Sequence, residues 1–479
     1  MAHPSEFGRG WPVVSAAAVG VGLGLSPLPF YTIGVFIGPI AREFGWTPAD
    51  VLLALPVYTI GAFFMSPIIG ILADRVGARK VALISIVGFG LSLMAMSLNT
   101  GSKPLFVFLW AVLAISGAGT LPITFTRPVN NWFDRNRGFA LGIALIATGM
   151  FGTLAKFSTQ QVVTDYDWRT AYIFLGALPI LIAFPIALLG LRDLSDEPAK
   201  SARIVKSKFL VMVPPVLGVA MLWVLVLNFI LPKIAENGLR LEYGAGLLFL
   251  VITTIPIALY LFGRVGTEPP VQRKLAPGET LPGDTVKQAV LSWRFALLAV
   301  CFVLISYSLG APIPNLEQIL QASGFGIEEA VGLAGLTGLA VLAGRLVGGY
   351  LIDRFWAPLV AFVFLSSPAL ALWILSGGNT SPELATVAIL MIGFGAGVEY
   401  DFLAFLVTKY FGMRSYSAIY GCLYGFFAIG AGFGPPFMSG QAAKAGWGDP
   451  LIMAAIVLVV ASIPLLFLGQ YRYGREEHG

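Results

Sequence analysis

Charge is what this chain has least of. Of its 479 residues only 11% are Asp, Glu, Lys or Arg, while 57% are apolar. Soluble domains carry about 25% charged residues and less apolar surface, so a soluble core is excluded and the bilayer is the solvent. Histidine is almost missing. His3 and His478, near the two ends, leave a histidine-based catalytic or metal centre nothing to work with. The two cysteines, Cys301 and Cys422, fall inside apolar runs and read as packed small side chains, without disulfide or metal. No G-x-x-x-x-G-K-[ST] is present, so ATP-driven transport is unsupported. No Ser/His/Asp set can be assembled either, and neither an enzyme nor a cofactor is expected. The net charge of +5 is not a nucleic-acid signal, because Lys and Arg collect in the cytoplasmic loops of membrane proteins.

A repeat fills the space those absences leave. Gly70-Ile71-Leu72-Ala73-Asp74-Arg75 returns as Gly349-Tyr350-Leu351-Ile352-Asp353-Arg354. Gly117-Ala118-Gly119 ahead of Trp132-Phe133 returns, at nearly the same spacing, as Gly395-Ala396-Gly397 ahead of Tyr410-Phe411. Two landmarks with one offset make the chain a unit duplicated in the same direction, and parallel repeats of membrane helices point to a transporter. Runs of roughly 20 apolar residues, enough to span a bilayer as helix, lie near 13–40, 49–72, 80–98, 104–126, 138–160 and 170–190, then 293–314, 328–351, 358–376, 383–408, 416–439 and 450–469. Two more, 209–231 and 245–262, fill the interval that the offset leaves between the halves. The expectation is an all-α membrane protein of about fourteen spans: residues 1–192 a six-helix bundle, 193–290 a linker with an inserted hairpin, 291–479 a second six-helix bundle.

Loop charges orient it. Arg75, Arg79, Lys80, Arg135, Arg137, Lys200, Arg203, Lys206, Arg273, Arg354, Arg414 and Arg472 fall on one side, which predicts cytoplasmic termini in a plasma or inner membrane. Met1 to Gly10 is a polar lead followed by a run too long for a signal peptide. Gly263 to Gln288, rich in Pro, Gly, Glu and Lys, reads as a solvated, mobile linker. Glycines such as Gly138, Gly142, Gly149, Gly152, Gly421 and Gly425 recur at helical spacing, which lets membrane helices approach closely. Pro27, Pro29, Pro122, Pro312 and Pro314 sit where they can kink cavity-lining spans.

Charges inside spans are costly and each asks for a reason. Arg345 lies eight residues before Asp353, roughly 12 Å into the membrane by helical rise, too deep to snorkel. Its planar fork suits a carboxylate; the alternative is a permanent internal salt bridge. Glu399 and Asp401 are comparably deep and point about 200° apart on a helix, so one is a candidate proton carrier while the other packs or caps, with nothing to choose between them. Lys156 falls near the opposite interface and reads as a snorkelling side chain; Arg127, beside Pro128, reads as a headgroup contact or loop anchor. Of Tyr31, Tyr58, Tyr307, Tyr400, Tyr420 and Tyr424, Tyr31 and Tyr307 are taken as substrate-binding. Asp74, Arg75, Arg79, Asp353 and Arg354 read as gate residues that bridge in one conformer and part in the other.

The run Gly70-x-Leu72-Ala73-Asp74-Arg75-x-Gly77-x-Arg79-Lys80 resembles the signature loop between helices two and three of the major facilitator superfamily. Within it, Phe44-Gly45-Trp46-Thr47 and Asn131-Trp132-Phe133-Asp134-Arg135-Asn136-Arg137-Gly138 resemble the monocarboxylate and oxalate–formate porter group. That resemblance implies a substrate-binding arginine in the eighth helix, the position of Arg345. Two features depart from the animal members: Val341 stands where they have an aspartate, and no charge lies between Trp11 and Ala41, where they have a lysine. The inserted pair resembles instead the fourteen-helix drug:proton antiporters. The expected activity is proton-coupled transport of a small organic anion, a monocarboxylate, across a lipid bilayer, with no nucleic-acid partner and oligomeric state unassigned. The rivals are a drug or cation:proton antiporter and a transport-dead membrane sensor.

Overall fold

The computed structural model describes residues 6–134, 136–192, 281–378 and 380–473. Among these the chain is helical, apart from one isolated bridge between Gly283 and Gly412. Twelve helices are long and apolar enough to cross a membrane. The first six are α1 (Gly10–Phe44), α2 (Asp50–Val76), α3 (Ala78–Leu98), α4 (Lys103–Trp132), α5 (Arg137–Asp165) and α6 (Trp168–Gly190). The last six are α7 (Trp293–Ala322), α8 (Gly332–Ile352), α9 (Ala357–Ser376), α10 (Pro382–Phe411), α11 (Tyr416–Ala445) and α12 (Gly448–Leu468). They match the twelve runs read from the repeat. The expected inserted hairpin, 209–231 and 245–262, lies outside the described residues.

The end of the stretch read as a mobile linker is tied down. Asp284 accepts from both Arg472 guanidinium nitrogens at 2.6 and 3.1 Å and from the Tyr473 hydroxyl at 2.7 Å. The Asp284 amide donates to the Phe411 carbonyl. A segment polar enough to be solvated is here polar enough to bind the end of α10 and the chain after α12.

Three central helices are broken near mid-length. In α1 the helix is interrupted between Gly22 and Pro27, and the Leu25 amide this frees donates to the Thr120 hydroxyl at 2.8 Å. A tight turn at Ala118–Thr120 ahead of Pro122 interrupts α4, and one at Ile313–Asn315 after Pro312 interrupts α7. Irregular backbone at membrane depth survives only where protein groups satisfy it, and Thr120 does so here.

The two copies of the repeated motif lock the bundle at one end, each acting on the other half. The first amides of a helix lack intrahelical acceptors and normally rely on a local cap. Asn136 and Ser415, the residues preceding α5 and α11, supply no side-chain cap. Instead Asp353 accepts from Gly138 and Phe139 at 2.7 and 3.0 Å, and Asp74 accepts from Ser417 and Ala418 at 3.2 and 2.9 Å. Asp74 and Asp353 are 279 positions apart (353 minus 74), and so are Gly138 and Ser417 (417 minus 138). A carboxylate at a helix start also meets the favourable end of the helix dipole.

The seams beneath these caps are glycine-tight. A Cβ on Gly142 would stand 2.7 Å from the Arg345 carbonyl oxygen, and one on Gly349 would stand 2.6 Å from that of Gly138. Gly70 and Gly421 press in the same way on the backbones of Ser417 and Ser66. At the other end, Gly34 of α1 and Gly332, Gly335 and Gly338 of α8 have nothing within 4 Å of where a Cβ would be. The bundle is sealed at the Asp74/Asp353 end; toward the opposite one α8 opens, while α2 and α11 stay together as far as Thr59 and Gly432.

Asp74 and Asp353, expected from the sequence to act at a gate, stand at the seal, and the cation that meets Asp74 is not the neighbouring Arg75. Arg75 and Arg354 are exposed. Arg354 lies over the Tyr350 ring and donates to its carbonyl, while Arg79 donates to the Leu188 carbonyl at 2.6 Å. The cation on Asp74 is Arg127, which donates to its carboxylate at 2.5 Å and to the Ala73 carbonyl at 2.9 Å. Arg127 is 8% exposed, a lock component rather than a headgroup contact.

Gly142→Val with Gly421→Val is expected to hold the sealed end apart. Spin labels at Val76 and Arg414 in a cysteine-free background should then show a longer mean separation than in the unsubstituted seam; an unchanged separation refutes it. Burial raises the Asp353 carboxyl to about 6, against its two amide bonds and the charges of Arg137 and Lys409. Solvated on opening, it returns toward its ordinary value near 4, so the sealed form binds the extra proton. Sealing is therefore favoured as pH falls from about 6 toward about 4, and favoured less above 6. The same label pair should report that trend, and Asp353→Asn should flatten it.

Candidate substrate site

Three ionisable side chains meet beneath the opening beside α8. Arg345 of α8 is 2% exposed, and Glu399 and Asp401 of α10 are 5% and 1% exposed. Arg345 lies within electrostatic reach of both acids and of Tyr31. Its guanidinium carbon is 5.8 Å from the centre of the Tyr400 ring. Yet Nε and Nη1 of Arg345, Oε1 of Glu399 and both carboxylate oxygens of Asp401 have no hydrogen-bond partner within the protein. Burying a charge costs several kcal/mol unless it is paired and hydrogen-bonded. Three buried groups left open together are therefore not a finished structural bridge.

The backbone explains where each acid goes. α8 and α10 cross through glycines: Gly344 packs on the Phe394 backbone, and Gly397 on that of Val341. That closeness brings Arg345 and the 399–401 segment to one level. Two residues apart, the acids diverge. A Cβ on Gly142 of α5 would stand 3.7 Å from Asp401 Oδ2, so Asp401 faces the α5–α8 seam, with Tyr420 of α11 in electrostatic reach. Glu399, like Asp401 in electrostatic reach of Arg345, also acts on Tyr400.

Aromatic rings form the remaining wall. Tyr400 stacks with Tyr424 at 5.8 Å between centres and meets Phe427 at 4.6 Å. Ser26, in the break of α1, stands beside the hydroxyls of Tyr58 and Tyr424, so residues of both halves meet at this point. Tyr31 packs its ring on Gly152 and its hydroxyl near Gly149, on the Arg345 side. Tyr307 does not join the group. It sits against Phe437, with its backbone on Gly434, in the α7–α11 contact.

Ser26 and Phe427 were not singled out in the sequence. A lone serine ahead of Pro27 in an apolar run is a signal for Ser26; Phe427 gave none. No group of three or more His, Cys, Asp or Glu side chains that could hold a metal occurs among the described residues.

The Major Facilitator Superfamily model matches residues 19–421. Monocarboxylate transporter 11 of Mus musculus is 30% identical over 213 residues, 42% of this chain and 44% of that protein. The probable sulfoacetate transporter SauU of Cupriavidus necator is 28% identical over 166 residues, 34% of this chain and 37% of that one. The matched stretch thus spans less than half of each relative. Among solved structures, the human organic anion transporter MFSD10 superposes with a TM-score of 0.61 at 14% identity, covering 97% of this chain and 100% of that one. The E. coli fucose:proton symporter FucP gives 0.56 at 14% identity, covering 96% and 98%. These two bear on the fold alone. With a family match across most of its length and twelve spans in that fold, the chain belongs to the Major Facilitator Superfamily of membrane transporters.

Proposed function

We propose that this transporter carries a small organic anion, a monocarboxylate, together with a proton. The reading rests on one observation, the unclasped buried guanidinium of Arg345 beside two unclasped carboxyls. Arg345 holds the substrate carboxylate by its fork, and Tyr31 borders that site. The names of the monocarboxylate and sulfoacetate relatives agree with an anionic cargo. The seal at Asp74 and Asp353 is taken as the cytoplasmic gate, on the side of the basic loops, which puts both termini in the cytoplasm.

Charge counting gives the coupling. Reorientation through a low-dielectric centre favours a neutral cluster, since each unpaired ion costs several kcal/mol and every 1.4 kcal/mol is a factor of ten in population. Empty and neutral means Arg345 charged, one acid ionised and one protonated. Once a monocarboxylate takes Arg345, neutrality requires the second acid to be protonated as well. One anion then travels with one proton, electroneutrally. Glu399 or Asp401 is that acid, and the ionised form competes for Arg345.

The two acids and the rings around Tyr400 also suit a lipophilic cation, which supports antiport as the second reading. A midplane arginine facing the same site weighs against it.

Proteoliposomes separate the two. Labelled lactate, pyruvate and benzoate are expected to accumulate under an inward proton gradient and to respond little to a clamped membrane potential; accumulation of tetraphenylphosphonium instead would establish the rival. Arg345→Lys should lower carboxylate uptake by tenfold or more, because the charge stays but the fork goes; full uptake by that variant sinks the anion site. Glu399→Gln or Asp401→Asn should abolish the response to pH in one case and spare it in the other, which identifies the proton carrier.

A further inference from the structure

Arg345 reaches both acids of the centre, so the guanidinium does not tell them apart. What lies against their other sides does. Tyr416, Tyr420 and Tyr424 recur every four residues on α11 and so share one face. Their ring centres follow one another at 5.7 and 6.2 Å, and all three side chains are buried. The column runs from the seal to the floor of the cleft. At the seal the Tyr416 hydroxyl donates to Thr126 of α4 at 3.1 Å, and the next residue, Ser417, gives its amide to Asp74. At the floor the Tyr424 hydroxyl lies with Ser26 and Tyr400. Both end hydroxyls are engaged.

The middle one is not. Tyr420 is 0% exposed, and its hydroxyl has no hydrogen-bond partner. Asp401 lies in its electrostatic reach, with both carboxyl oxygens buried and equally without a partner. The hydroxyl near Glu399, that of Tyr400, is instead drawn to Tyr424. A buried donor and a buried acceptor left open each bear their full desolvation cost. Side by side, they answer one another.

The remaining helices packed on α10 hold their charges elsewhere. α5 presents Gly142 to Asp401; its Arg137 donates to Thr408, two turns nearer the seal, and its Lys156 is about four turns further out. Arg127 of α4 is held by Asp74, and Arg294 of α7 donates to the Leu468 carbonyl. Glu317 stands at the other end of α7, and α9 carries no ionisable side chain. On α10 itself, Lys409 lies over the rings of Phe405 and Tyr471. Asp401 thus answers to Arg345, to Tyr420, and to Glu399 on its own helix.

Those partners differ in chemistry. A guanidinium only donates, and therefore serves an acid only when it is ionised. A phenol donates to a carboxylate and accepts from a carboxylic acid. A group that changes charge in a low-dielectric centre needs a partner suited to both of its forms.

We propose that Asp401 is the acid that gains and loses the proton, with Tyr420 as its positioning residue and Glu399 as the standing counter-charge of Arg345. Tyr420 donates to Asp401 when the acid is ionised and accepts from it when protonated. On release the Asp401 O–H bond breaks and the proton passes to water on the side where the α5–α8 seam opens. The phenol keeps its own proton and turns from accepting to donating. That this proton travels with a cargo anion rests on the symport reading above; the exchange at Asp401 does not.

Infrared titration of the full chain in nanodiscs tests the assignment without any substrate. The protonated carboxyl band that Asp401→Asn removes, and Glu399→Gln leaves, is expected to titrate. Tyr420→Phe keeps the ring and loses the hydroxyl, whose bond to the charged form is the stronger of its two. The midpoint of the band should therefore rise by about one pH unit. Tyr172→Phe, which removes another buried hydroxyl without a partner, should leave it in place. A midpoint that ignores Tyr420→Phe, or a titrating band lost in Glu399→Gln instead of Asp401→Asn, overturns the proposal. Should Asp401→Asn not fold, isotope-labelled aspartate marks the aspartic bands of the unsubstituted chain, and the lack of one that follows Tyr420→Phe overturns it equally. In proteoliposomes the pH midpoint of benzoate uptake should move with the band. A chain that shows the band shift yet carries no carboxylate refutes the symport reading and leaves the Asp401–Tyr420 pair standing.

Discussion

Asp74 and Asp353 each complete the first turn of a helix in the other half of the chain, and the arrangement of the centre follows from that exchange. A helix start with no cap of its own is unstable in a low-dielectric setting. α5 and α11 therefore cannot sit at the seal without α8 and α2 against them. The glycines below then set the separation: with Gly142 on the Arg345 carbonyl and Gly421 on the Ser66 backbone, the seams close too tightly for any side chain. Above that level α2 and α11 stay in contact through Gly425 on Phe63 and Gly432 on Thr59, whereas Gly338, Gly335 and Gly332 of α8 stand open. The opening is therefore on the α8 side of the bundle.

The twelve spans and the duplication were legible because bilayer thickness imposes a length and the repeat imposes a register. The place of Asp74 and Asp353 at one end of the bundle was legible too, since both end apolar runs. Their partners were not. A cap from the opposite half involves residues 343 and 215 positions away in sequence (417 minus 74; 353 minus 138), and sequence proximity pointed to Arg75 and Arg354, which instead face outward. Arg127, read as a headgroup contact or loop anchor, is held by the Ala73 carbonyl and the Asp74 carboxylate at the end of α2, a partner 53 positions away in sequence (127 minus 74). Tyr307 and Tyr31 looked equivalent on composition; only the helix crossings separate a ring packed on Phe437 from one beside Arg345. The inserted hairpin, read at 209–231 and 245–262, falls on residues outside the described structure.

The offset exposes a division of labour between the copies. Positions that hold the seams together are kept in kind: Gly70 and Gly349, Asp74 and Asp353, Gly142 and Gly421. The repeat mate of Arg345, however, is Ser66 (345 minus 279), and on α4 the positions matching Glu399 and Asp401 at the 278-residue spacing of that helix pair (410 minus 132) are Leu121 and Ile123. Scaffold is duplicated while charge is confined to one half. A symmetric cluster would set two arginines against four acids within one low-dielectric volume, with far more uncompensated charge to neutralise before either seam could close.

Confinement to one half also bears on how the cluster senses the gate. Arg345 contributes its carbonyl to the glycine contact with Gly142 and its guanidinium to the centre, and Asp401 faces that same glycine. The α5–α8 seam therefore cannot part without moving the backbone of the cation and exposing one of the two acids to the newly opened side. On the proposed reading with Asp401 as the proton carrier, proton exchange with that side and release of the anion are two results of a single displacement, because both groups hang from the helices that meet at the proposed gate. A coupling acid placed elsewhere on α10, away from the seam, would need a separate route to water for its proton; one at position 401 has the opening itself.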